Sequence, residues 1–260
     1  MAVTDEFTHA AYAELLGALA DAGYETLTVR EYLRAGSLPE RFVVLRHDVD
    51  RKPRRAEALA RLEAEFDASA SYYLHPSAFR EGRAERLVDL GHEVGYHYDD
   101  VATTRGDLDT ARALFANNLR VFRRACDVAT VSPHAAALSQ HDNTVLWQRG
   151  PSFEEFGLLG DADRSVDYVD LSFFSDAGRT FRERPADRAR SLGERDQPTT
   201  AETASDLAAQ FRAGSPARVC VLTHPCRWTN SLPARVVSRS RDRAATLVYR
   251  GATLFGGPEA

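Results

Sequence analysis

The chain has 260 residues, 43% of them hydrophobic and 27% charged, enough apolar material for a sizeable globular core. A formal net charge of −5 argues against a nucleic-acid partner, which needs a concentrated basic face, and no stretch approaches the roughly 20 apolar residues of a membrane span. The first residues lack the basic start and apolar run of a secretory signal, and Cys126, Cys220 and Cys226 form neither an even disulfide framework nor a C-x-x-C pair, so the expectation is a cytoplasmic protein with reduced thiols.

Thr8 is placed to cap a helix whose apolar residues Ala11, Leu15, Leu16, Leu19 and Ala20 recur at helical spacing until Gly23 stops it. A short second helix is expected from Thr28 to near Gly36. Phe42 to Leu45 is a continuous apolar run of strand length, the pattern of a strand buried on both faces. Pro53 then suits the first turn of a helix carried by Ala56, Leu59, Ala60, Leu62 and Phe66. The alternation repeats with a strand at Ser69 to Leu74, a helix at Arg83 to Leu90, a strand at Glu93 to His97 and a long helix at Asp107 to Ala125. A strand at Val128 to Val131 and a helix around Asp142 to Gln148 follow. In a less regular middle, Val166 to Phe174 is read as a strand and Arg182 to Pro198 as polar loop. Thr203 to Phe211 is expected as a helix, Arg218 to Thr223 as a strand, and much of Ala234 to Leu254 as a final helix. With no internal repeat or linker, this is an α/β chain read as one domain, its parallel sheet either open or closed into a barrel with helices outside. In both arrangements reactive groups collect at the C-terminal ends of strands.

Polar residues at such ends are therefore the ones to weigh. In Arg46-His47-Asp48-Val49-Asp50 the two aspartates stand at i and i+2, so they project to one side of an extended chain while Val49 points away. One could ligate a metal and the other act as a base; equally, both could be solvated, with Asp50 capping the helix at Pro53. His97 closes the run Gly91-His92-Glu93-Val94-Gly95-Tyr96-His97, whereas His92 differs from it in strand parity and is read as surface structure at the opposite rim. His134 follows Val131-Ser132-Pro133, and His224 follows Val221-Leu222-Thr223, with Trp228 beyond. Carboxylate and imidazole groups gathered at one end suit Zn²⁺ or a similar divalent metal with an open position for water.

These motifs, in order and spacing from Phe42 to Trp228, resemble those of the polysaccharide deacetylase (NodB-like, carbohydrate esterase family 4-type) superfamily. Val43 to Asp50 is similar to that family's strand running into T-F-D-D, Gly91 to His97 to its G-H-E-I-G-N-H, and Val221 to His224 to its final L-x-x-H. A divergent subset with R-H-D-V-D first and H-P-x-x-W last resembles the chain more closely still. The resemblance implies an irregular (β/α) barrel of seven strands and one divalent metal, zinc first, with Co²⁺, Ni²⁺ or Mn²⁺ as alternatives. It implies His97 as a metal ligand, Asp48 as the base, His224 as the acid and Asp176, in Phe173-Phe174-Ser175-Asp176, as the carboxylate that orients His224. Asp50 takes the other ligand role by default.

The chain departs from the family pattern in two ways. Val49 separates aspartates that are adjacent in the family, and Val101 stands where the family has a second histidine. His134 is the expected third ligand, with Asp99 or Asp100 as alternatives, and Trp228 is expected to form an apolar wall for a sugar. The expected reaction removes an N-acetyl group from a saccharide or small sugar-derived substrate inside the cell. A non-sugar C–N bond and an inactive saccharide-binding barrel are the alternatives, and the oligomeric state is left open.

Overall fold

The computed structural model describes residues 6–135, 141–148, 150–181 and 201–240. The polar loop expected at Arg182 to Pro198 and the end of the last helix lie outside them; residues 232–240 are helical.

Local signals account for most boundaries. Helix α1 (His9–Asp21) starts where the Thr8 side chain accepts from the Ala11 N–H. Strand β1 (Glu25–Leu27) leads to α2 (Val29–Arg34), whose capping box joins Thr28 and Glu31 reciprocally. After β2 (Phe42–Val49), α3 (Pro53–Glu65) opens on Pro53; β3 (Ser71–Leu74), α4 (Glu81–Asp89) and β4 (Glu93–Tyr98) follow. A single helical turn, α5 (Asp100–Thr103), precedes the long α6 (Leu108–Phe122), capped by Asp107, and then β5 (Thr130–Pro133). The short β6 (Gly160–Asp161), β7 (Ser172–Ser175), α7 (Ala204–Arg212, in a Thr203 capping box) and β8 (Arg218–Thr223) complete the path.

Every strand pairing is parallel, in the order β6-β5-β4-β3-β2-β8-β7. Along β2, β1 pairs with Phe42 to Val44 and β3 with Arg46 to Val49, so these two share one edge in succession while β8 takes the other. The result is the expected irregular (β/α) barrel: seven parallel strands curled into a half-barrel, flanked by helices.

All eight residues of β2 are buried, and its alternation separates two cores. Val43, Leu45 and Val49 pack with the helices, whereas Phe42 and Val44 join Tyr73, Phe173, Cys220 and Leu222 on the inner face. Helix α2 closes the bottom. Val29 lies in the inner cluster and its N–H donates to Ser71 Oγ (2.7 Å), while the Arg30 N–H donates to Glu93 Oε2 (2.9 Å), at the first residues of β3 and β4. With the N-terminal end plugged, the C-terminal ends are left for chemistry. No helix among the described residues is long and apolar enough to cross a membrane.

Gly95 tests how tightly the inner face is filled. A Cβ there would meet the Tyr73 ring and stand 2.8 Å from the Thr130 carbonyl oxygen. Gly95→Ala is expected to destabilise the fold by about 1–3 kcal/mol, read from the urea midpoint, because backbone cannot yield as a flexible side chain can. A midpoint equal to wild type would mean the wall has room.

Several expectations need correction. Strand β2 runs four residues past its apolar part because the polar side chains of Arg46, His47 and Asp48 are buried with partners. Only Ser172–Ser175 of the strand expected from Val166 is extended; before it the Asp167 carboxylate accepts from the Val169 N–H (3.0 Å) and holds a turn. The helix around Asp142 is a 3-10 segment, Asn143–Trp147. His92 is not at the surface: its Nε2 donates to the Ala60 carbonyl (2.9 Å), beside the fully buried Glu63. Glu63 accepts from the hydroxyls of Tyr12 and Tyr72 and stands 2.7 Å from His47 Nε2, while His47 Nδ1 lies 2.6 Å from Thr223 Oγ1. This buried network ties β2 to β8 directly behind Asp48 and His224.

Candidate active site

Parity gathers the site. Arg46, Asp48 and Asp50 follow Phe42 and Val44 on the inner side of β2, and His97, His134 and His224 end β4, β5 and β8 beside it. His97 Nε2 lies 3.2 Å and His134 Nε2 3.6 Å from Asp50 Oδ1. Asp48 Oδ2 is 4.0 Å from His97 Nε2.

The His97 ring is fixed by what its other nitrogen meets. Nδ1 lies 3.1 Å from the Ser132 carbonyl oxygen, which can only accept, so Nδ1 carries a proton and Nε2 turns its lone pair into the pocket. Opposite it, Asp50 Oδ1 is buried without an aligned hydrogen bond. Two acceptors this close call for a cation between them. Burial pushes the Asp50 carboxyl up, yet His97, with His224 and His134, outweighs it and holds Asp50 below the usual carboxylate range. Burial likewise disfavours a charged His97, but Asp48 and Asp50 raise it above its ordinary value, so the cluster favours positive charge. The donor atoms of Asp50, His97 and His134 lie within 4.8 Å of one another. Ligands of a tetrahedral zinc at about 2.0–2.1 Å stand about 3.3–3.4 Å apart, so this trio fits a metal.

A second group, His75, Asp99 and His134, is equally compact but differs in tautomer. The Ser77 N–H donates to His75 Nδ1 (3.2 Å), which places the ring proton on Nε2, where it donates to Asp99 Oδ2 (3.0 Å). That pair is satisfied without a metal. Asp100 turns away altogether: fully buried, it accepts from Tyr96 Oη (2.7 Å) and Asn118 Nδ2 (3.0 Å), and burial pushes its carboxyl up to about 6. His134→Ala is therefore expected to weaken metal affinity by more than the 10–100-fold typical of residues that only support a ligand, and Asp100→Ala to leave it within a few-fold. Competition against a chelator measures both; wild-type affinity in His134→Ala would pass the role to Asp99.

Asp48 sits differently. Its carboxylate oxygens are each 3.3 Å from Arg46 Nη2, and Ser132 Oγ is 3.5 Å from Oδ1. Burial raises its pKa, but Arg46, then His97 and His224, outweigh it and keep the group ionised below its usual range. Arg46 is itself held by Asp163 (2.5 Å), by Ser132 Oγ (2.7 Å) and over the Tyr73 ring. Sequence reading missed Arg46, although it shares the parity of Asp48 and Asp50; it also missed His75, which directly follows a strand as His134 and His224 do.

On the β8 side Asp176 is fully buried and accepts four bonds: from the His224 N–H (2.9 Å), His224 Nδ1 (2.7 Å), Arg227 Nη1 (2.8 Å) and Trp228 Nε1 (3.0 Å). Burial alone would raise its pKa; Arg227 and His224 reverse that and hold it far below the usual range. With Nδ1 bonded to Asp176, His224 has Nε2 left for proton transfer. Trp228 forms no wall for a substrate. It is fully buried against Phe7 and Tyr12 (ring centroids 5.0 Å from each) and braces Asp176, because its one polar atom reaches that carboxylate.

No protein-family model and no curated protein matches the chain. Among solved structures it is similar to a CE4 esterase from Streptococcus mutans (13% identity, 91% of each chain, TM-score 0.45). It is similar also to the peptidoglycan deacetylase PdaC from Bacillus subtilis (12% identity, 82% of this chain and 97% of that one, TM-score 0.40). A third likeness is to a CE4 family pseudoenzyme from Bacillus anthracis (16% identity, 81% of this chain and 65% of that one, TM-score 0.42). At these values none of the three assigns a role to any residue of this chain.

Proposed function

We propose that this chain is a divalent-metal-dependent hydrolase that removes an N-acyl group, with an N-acetylated sugar or saccharide as its substrate. The observation that carries the reading is the convergence of His97 and His134 on the unsatisfied Asp50 oxygen, with Asp48 and the Asp176-backed His224 at the same strand ends. Asp50, His97 and His134 would hold the ion, and their imidazole and carboxylate donors suit zinc. Such an ion polarises a carbonyl and lowers the pKa of water.

The remaining chemistry belongs to the chain. Asp48, kept ionised by Arg46, accepts the proton of the water whose oxygen adds to the amide carbon. The C–N bond then breaks, and His224 Nε2 gives a proton to the departing amine, leaving acetate and a free amine. Asp176 keeps the ring proton on Nδ1 and stabilises the imidazolium before that transfer. Each positioned acid or base contributes about 10²–10⁴-fold.

The test is amine release from a panel of N-acetyl sugars and non-sugar N-acyl amines, with metal-loaded and metal-stripped protein. Release from non-sugar amides alone would move the substrate class. A metal-loaded protein inert across the panel would remove the hydrolase reading and leave a saccharide-binding barrel.

A further inference from the structure

A cleft of about 370 Å³ lies at the start of α3, lined by Arg51, Lys52, Arg55 and Cys226 on one side and by Val237 and Ser238 of the helical segment 232–240 on the other. Its position follows from the site. Arg51 is the residue after Asp50, about 3.8 Å away by Cα, and Cys226 comes two residues after His224. The Cys226 thiol feels both Asp176 and Asp50, which sets the cleft beside the reacting centre.

The charge of this cleft runs against its surroundings. The chain carries a net −5, yet three cations line this one space, and none of the three has a carboxylate partner among the described residues. Arg55 Nη1 donates to the Cys226 carbonyl, and Arg51 Nη2 lies 4.0 Å from Cys226 Sγ. The cations also stand at the positive end of α3, where acidic residues are favoured; its first turn has none, and Lys52 precedes Pro53 in a left-handed conformation (φ 53°) without a capping bond. Cations crowded at a helix N-terminus repel its dipole and one another, an arrangement that an anion would reverse. A carboxylate would balance one of the three. A phosphate ester, with up to two charges and three outer oxygens, matches two guanidinium forks and an ammonium.

We infer that this cleft binds the phosphate of a phosphorylated substrate, holding an N-acyl sugar phosphate with its amide toward Asp48 and His224. The inference rests on the proposed reaction for the second half of that statement, and on the cleft alone for the first. The phosphate is a handle rather than a reactant, so the bond broken is still the amide C–N bond.

The experiment separates the two halves. The metal-loaded full-length protein is titrated calorimetrically with inorganic phosphate at low salt, alongside Arg51→Gln/Arg55→Gln and the milder Lys52→Gln, with metal content and melting temperature measured for each. Saturable binding in wild type, weakened at least 10-fold in the double variant and less in Lys52→Gln, with metal retained, is the expected result. Phosphate bound at the metal would survive these substitutions, so equal affinity in wild type and both variants overturns the inference, as does absence of binding to wild type. If the double variant fails to fold, Lys52→Gln decides the matter by whether its affinity falls. In a second arm, N-acetylglucosamine 1-phosphate should show a KM at least 10-fold below that of N-acetylglucosamine, a ratio lost in the variants. Phosphate binding without amine release would remove the reaction and leave the anion site; amine release without a phosphate preference would do the reverse.

Discussion

Asp48→Asn and His224→Gln are each expected to lower turnover at least ~10²-fold while leaving one metal bound per chain. Asp48 lies 4.0 Å from His97 Nε2, farther than Asp50, and Arg46 occupies its carboxylate, so its charge is spent on holding a proton acceptor rather than on ligation. His224 takes no part in the Asp50 cluster; its Nδ1 is committed to Asp176 and its free nitrogen enters from β8. Water and leaving amine occupy different sides of a tetrahedral carbon, so two groups from neighbouring strands suit the two proton transfers. The alternative is that both residues merely hold loops. Near-isosteric changes distinguish the accounts, because a structural role would lower the melting temperature and spare turnover per folded molecule. Arg46 keeps Asp163 and Ser132 in Asp48→Asn, so the buried guanidinium is not stranded. Near-normal turnover in either variant on an established substrate removes that residue from the mechanism.

His97→Ala and Asp50→Ala should each abolish stoichiometric metal binding, measured by elemental analysis after repletion and dialysis. Both atoms that face each other at 3.2 Å are then lost in turn, and the remaining pair cannot hold a divalent ion against a chelator. The fold should survive Asp50→Ala, since Asp50 Oδ1 has no hydrogen bond to lose. In His97→Ala the Ser132 carbonyl loses its donor, at a cost of about 1–3 kcal/mol for a buried polar group left unpaired. Full metal occupancy in both variants, or none in wild type, would falsify the metal centre and with it the hydrolase reading.

What the sequence settled by itself was the order of the elements and the end of the sheet at which polar groups collect. Helix starts at Thr8, Thr28, Pro53, Asp107 and Thr203 were legible because capping and hydrophobic periodicity act within a few residues. The shared side of Asp48 and Asp50 followed from the two-residue strand period. Arg46 follows from the same period and was passed over because a positive charge on a buried strand has no meaning until its partners, Asp163 and Ser132, are known.

Only the tertiary structure decided how these groups face one another. His134 meets Asp50 from 84 positions away along the chain, and Asp176 meets His224 across β7 and β8. Asp100 and Asp99, adjacent in sequence, part company: one turns into the helix layer beneath Tyr96, the other pairs with His75. Trp228 and His92, read as rim residues, are interior because each finds a buried acceptor, Asp176 for one and the Ala60 carbonyl for the other. Periodicity gives the side of a strand on which a residue lies, but a polar residue's burial depends on a partner brought by another element, and that pairing exists only once the sheet has curled and the helices have packed against it.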